Sequence, residues 1–134
     1  MERKIILVMM LIATLFLITA CGSSKLDDKK SAIIEKVLTV NNVPYTSVKS
    51  NSDKIEIFYE TSSATNYDAQ IINDWGMIFA TSANFNYTEI IIVNTINDIP
   101  VAKLTATSNN VKLLGNGWIN ESEFWDTVKI ESVN

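Results

Sequence analysis

Histidine is absent from all 134 residues, and cysteine occurs once, at position 21. Without imidazole there is no Ser-His-Asp or Cys-His nucleophile system, no ordinary imidazole acid–base chemistry and no histidine metal site. A single cysteine allows no disulfide framework, so a folded part must rely on its apolar core. The four glycines, at 22, 76, 115 and 117, form neither a phosphate-binding loop nor a dinucleotide fingerprint. No Asp/Asn-rich loop has the spacing that holds calcium. Arginine occurs only at position 3. The planar fork that grips phosphate in two places is therefore missing from the rest of the chain.

What is present begins with a signal. Arg3 and Lys4 precede an uncharged run from Ile5 to Ala20 that contains neither Pro nor Gly. As a helix that run would reach only ~24 Å at ~1.5 Å per residue, short of the ~30 Å hydrocarbon core of a bilayer. A basic start, a short apolar stretch and small residues at its end have the form of an export signal. The end of the run, Ile18-Thr19-Ala20-Cys21, resembles the lipobox of prokaryotic lipoproteins: an aliphatic residue, a small one, Gly or Ala, then Cys. The resemblance extends over about the first twenty-two residues. It implies cleavage before Cys21, attachment of diacylglycerol to its sulfur, and a location on the outer face of a cell membrane or envelope. Each buried methylene contributes ~0.8 kcal/mol, so two acyl chains hold a protein where one holds it weakly.

Cleavage would take Glu2, Arg3 and Lys4 away and leave 114 residues with nine cations and fourteen anions, a net charge of −5. An acidic domain whose only cations are lysines is ill-suited to nucleic acid, whose affinity comes largely from neutralised phosphates. The expected division is a signal peptide over 1–20, a lipidated cysteine and short tether over 21–27, and one domain over 28–134. Its partners would be the membrane, through lipid on Cys21, and another envelope protein or polymer.

Within the domain, Ile33, Ile34, Val37 and Leu38 recur at helical spacing over 28–40, with Asp27 or Asp28 as cap. The stretch Asn41-Asn42-Val43-Pro44 should end that helix. A strand is expected over 45–50, a turn over 51–54, and a second strand over 55–61 with Ile55, Ile57 and Tyr59 on one face and Phe58 on the other. Thr65 or Asn66 would cap a helix over 67–84, whose stripe of Ile71, Ile72, Trp75, Ile78, Phe79 and Ala83 faces a sheet. Gly76 would permit close approach to that sheet. The apolar run over 88–96 is the pattern of a strand buried on both faces. Asn97-Asp98 turns it into another strand over 100–107. Val111 to Leu114 reads as a fifth strand, and the capping-box spacing of Asn120 and Glu123 starts a last helix over about 121–131. The fold class expected is α+β: a two-layer sandwich, an antiparallel sheet of four to five strands with helices on one face, in the order α-β-β-α-β-β-(β)-α.

Chemistry-bearing constellations are sparse. Glu56 and Glu60 share one strand face, roughly 13 Å apart at ~3.3 Å per residue, wider than the ~5–9.5 Å of a glycosidase pair. Asp126 with Glu121 or Glu123 is equally plain. No catalytic residue, metal ligand or cofactor site is assigned. Trp118, Phe124 and Trp125 form an aromatic group near the C-terminus. Trp118 and Trp125 are the candidates for a partner-binding surface, with Phe124 turned inward. Asn86 and Asn120 each stand in an N-glycosylation acceptor pattern. The functional expectation is a membrane-anchored, non-catalytic binding or accessory domain at the cell envelope. Its alternatives are a small carboxylate-dependent hydrolase and a ligand-binding accessory of a transporter.

Overall fold

The computed structural model describes residues 23–61 and 69–133. The expected signal peptide, Cys21 and the loop with its Thr65 or Asn66 cap lie outside them. The element order is α1 (Ser23–Val40), β1 (Tyr45–Ser50), β2 (Lys54–Glu60), α2 (Ala69–Ser82), β3 (Glu89–Ile96), β4 (Ile99–Thr107), α3 (Ser108–Gly115), α4 (Glu121–Thr127) and β5 (Lys129–Ser132). The strands form one sheet in the order β1-β2-β3-β4-β5. Among the described residues no helix is long and apolar enough to cross a membrane.

Four sequence expectations are corrected. The sheet is mixed rather than antiparallel, because β2 and β3 pair in parallel while the other three ladders are antiparallel. A strand followed by one crossing helix re-enters the sheet in the same direction, and α2 is such a crossover. The segment expected as a fifth strand is helix α3. Thr107 caps it by accepting from the Asn110 amide at 3.2 Å, and Val111 turns inward. The last helix stops at Thr127 instead of reaching residue 131. Val128 takes an extended conformation, and the β-branched alternation Val128, Ile130 continues as β5 against β4. Helix α1 also starts at Ser23, so the backbone over 23–27, expected as a tether, is helical.

The ends of other elements follow from local chemistry. Helix α1 closes with Asn42 in the left-handed region (φ 56°). The Asn42 amide donates to Thr39 and the Val43 amide to Leu38, the double return bond that satisfies the last carbonyls. Asn97 and Asp98, at φ 51° and 64°, make the two-residue turn whose twist suits a hairpin. Asn120 and Glu123 form a reciprocal capping box at 2.9 and 2.7 Å.

The four described helices lie on one face of the sheet, as their core contacts require. Ile34 and Leu38 of α1, Trp75, Ile78 and Phe79 of α2, Val111 of α3 and Phe124 of α4 pack on Ile55, Ile57, Ile90, Ile92 and Leu104. A fully buried side chain of this kind stabilises by about 1.5–3 kcal/mol relative to an exposed one. The opposite sheet face carries no described helix, yet Ile91 and Val93 are buried there too. Their cross-strand neighbours are Glu56 and Thr105 for Ile91, and Phe58 and Lys103 for Val93. Apolar stems and the Phe58 ring shield them, with the Lys49 ammonium 4.7 Å from the centre of that ring.

Candidate functional site

Parallel β2 and β3 end at the same edge of the sheet as the last turn of α1, the first turns of α2 and the β3–β4 hairpin. There a cleft of about 770 Å³ opens, lined by Asn42, Pro44, Tyr59, Glu60, Thr61, Gln70, Ile71, Asp74 and Asn97. Its floor is Asp74, 5% exposed although it carries a carboxylate. The Tyr59 hydroxyl donates to Asp74 Oδ2 at 2.6 Å, and the Gln70 amide donates to Oδ1 at 2.8 Å. Burial of a lone carboxylate is costly, and these two neutral donors replace the water it loses. The Tyr59 bond also ties α2 to β2.

Glu60 forms the rim. It accepts from the Thr95 hydroxyl at 2.6 Å, the Asn97 amide at 2.5 Å and the Asp98 amide at 3.3 Å. The Thr95 hydrogen bond, helped by the Asp98 and Asn97 amides, holds its carboxyl below the ordinary value of 4.5, against the opposing pull of partial desolvation. A carboxyl whose folded pKa is depressed stabilises the fold above its ordinary value, and that support is lost as pH falls through the lower folded value. The stability difference between wild type and Glu60→Gln is therefore expected to shrink between pH 6 and pH 3. Urea melts across that range check it, and a constant difference would remove Glu60 from the hairpin's support. Glu60, singled out in the sequence only for its distance from Glu56, is the clamp on the left-handed turn at Asn97-Asp98.

The aromatic group divides. Trp118 is 78% exposed, Phe124 is 1% exposed, and Trp125 is half-buried. The Trp125 ring lies 5.3 Å from Phe124, 6.1 Å from Phe79 and 6.4 Å from Trp75, centre to centre. Trp125 is thus one side of a shallow apolar groove between α2, α3 and α4, in which Gly76 lies beside Phe79, Leu114 and Phe124. Gly76 faces this groove, on the side of α2 that meets α3 and α4. Trp118 stands apart on the loop between α3 and α4, and the structure does not join it to the cleft.

Among the described residues no three Cys, Asp or Glu side chains are grouped to hold a metal ion. Among the described residues, and apart from Tyr59, the ionisable groups lining the cleft are Glu60 and Asp74, and no lysine lines it. It offers carboxylate and amide acceptors, and its field repels anions. No protein-family model, curated protein or solved structure matches the chain.

Proposed function

We propose that this protein is a lipid-anchored domain on the outer face of a membrane, and that it binds a donor-rich ligand, neutral or cationic, in the cleft above Asp74. The observation that carries the binding reading is the cleft itself, a concave polar site floored by a buried, fixed carboxylate. The anchor rests on Ile18-Thr19-Ala20-Cys21 and the apolar run before it.

Two carboxylates in one cleft favour the hydrolase alternative, but their environments oppose it. Acid–base hydrolysis needs one carboxyl pushed upward so that it carries a proton near neutral pH. Glu60 is pushed downward, and Asp74 already has a donor on each oxygen. Both are arranged as fixed acceptors. That arrangement suits recognition.

The two halves of the proposal are tested separately. Lipid labelling and fractionation should find label and membrane association on the wild type and neither on Cys21→Ala; label on the variant, or none on the wild type, overturns the anchor. For the cleft, glucosamine, glucose and glucuronate present one sugar scaffold with positive, zero and negative charge. Titrated into the full chain in detergent micelles, glucosamine should shift the NMR side-chain amide signals of Asn42, Gln70 and Asn97 most and glucuronate least. The reverse order overturns the assigned ligand chemistry.

A further inference from the structure

We infer that the domain stands on the membrane with the cleft at its far end, so that the cleft meets a soluble or polymer-borne partner and not the lipids that hold the anchor. The inference rests on lipidation of Cys21 and goes beyond it, because it fixes which end of the domain faces outward. Only Gly22 separates Cys21 from the start of α1 at Ser23. One residue spans ~3.8 Å, whereas the 18 residues of α1 extend ~27 Å at ~1.5 Å each. The start of α1 is thereby pinned at the headgroups.

The direction of α1 is set by its contacts with β1. Ser31 hydrogen bonds to Ser50 at the end of β1 (2.8 Å), and Thr39 to Tyr45 at its beginning (3.0 Å). Helix and strand run in opposite directions. The start of α1 therefore lies at the edge that holds the β1–β2 turn and the beginning of β3, which are joined by the Thr88 amide donating to Asp53 at 2.7 Å. Asn42, Pro44, Glu60 and Asn97, four of the cleft residues, lie at the opposite edge.

Charge follows the same axis. Lys29, Lys30, Lys49 and Lys54 belong to the anchor-side edge, accompanied by Asp27, Asp28, Asp53 and Glu89, so that edge is near balance. The cleft edge carries Glu60, Asp74 and Asp98, and among the described residues no lysine lines the cleft. An anionic bilayer surface repels the acidic end, while the balanced edge meets it with little net repulsion. Tether length and charge asymmetry, two independent features, both hold the cleft away from the lipid.

Lipidated Cys21 has no free thiol, so one introduced cysteine can be labelled alone. Ser52→Cys marks the β1–β2 turn, and Ile99→Cys marks the exposed start of β4 at the cleft edge. Each full-length lipidated variant is labelled with a small fluorophore and placed in phosphatidylcholine–phosphatidylglycerol vesicles whose headgroups carry a nitroxide quencher. The expected result is several-fold stronger quenching at position 52 than at 99. Equal or reversed quenching, with mass spectrometry showing diacylglycerol on Cys21, overturns the orientation and leaves the anchor standing. An unmodified Cys21 overturns both.

Discussion

Phe124→Ala is expected to cost about 3–5 kcal/mol, as removal of a large buried aromatic does when the site cannot collapse. The ring is 1% exposed and lies 5.8 Å from Phe79, edge to face, so its loss opens the centre of the helical layer. Helix α4 has seven residues, too few to persist alone, and its capping box cannot replace the contact. Because β5 follows α4 directly, the edge of the sheet should loosen with it. Two neighbours provide the internal scale. Trp125→Ala should cost about 1–2 kcal/mol, less than a core aromatic, since its half-buried ring still touches Trp75, Phe79 and Phe124. Trp118→Ala should change stability by less than about 0.5 kcal/mol, the usual surface effect. Urea melts of the three variants decide the order. Equal losses at Phe124 and Trp118 would mean that α4 does not pack as described.

Where a single local rule governs, the fold was legible. The Asn97-Asp98 turn, the Asn120–Glu123 box, the stop at Asn41 to Pro44 and the inward stripe Trp75, Ile78, Phe79 each follow from one short pattern. The separation of Tyr59 from Phe58 across β2 follows from period two. Illegible features were those set by competition between distant parts. Val111 to Leu114 is too short for periodicity to separate strand from helix, and the Thr107 cap decides it. The end of α4 is set by the pairing that Val128 onward finds on β4, which no local propensity states. Parallel pairing of β2 and β3 depends on α2 as a crossover, and the hairpin-like spacing around that helix pointed to antiparallel neighbours.

The candidate site was legible only in outline. Asp74 lies three residues after Ile71 and four before Ile78, inside the apolar stripe of α2. An acidic side chain on an inward helix face is a usable signal, since burial without partners is so costly that partners must exist. Naming Tyr59 required the pairing of β2 with α2. Glu60 carried no comparable mark. Its role arises because parallel register brings it opposite Thr95, beside a turn whose left-handed residues leave amides pointing outward. Sequence spacing along one strand reveals nothing of that neighbour across the sheet.

Asp74→Ala is expected to destabilise the domain by about 3 kcal/mol, the loss of two hydrogen bonds to a charged acceptor at about 1.5–3 each, offset by relief of the carboxylate's desolvation. Asp74→Asn keeps the shape and one acceptor oxygen, so its cost should be smaller. The network predicts more than a single loss. Tyr59→Phe removes the 2.6 Å donor and leaves Gln70 as the carboxylate's one side-chain donor among the described residues, at a cost of about 2 kcal/mol. Once the carboxylate is gone, the bond that Tyr59→Phe would remove is already lost. The double variant should therefore be only slightly worse than Asp74→Ala, with a coupling of about 1.5–2 kcal/mol in a double-mutant cycle. Additive losses would show that Tyr59 and Asp74 stabilise the domain independently. The cleft floor would then be a surface formed by packing, and the assignment of Asp74 as a fixed acceptor for ligand would fall with it.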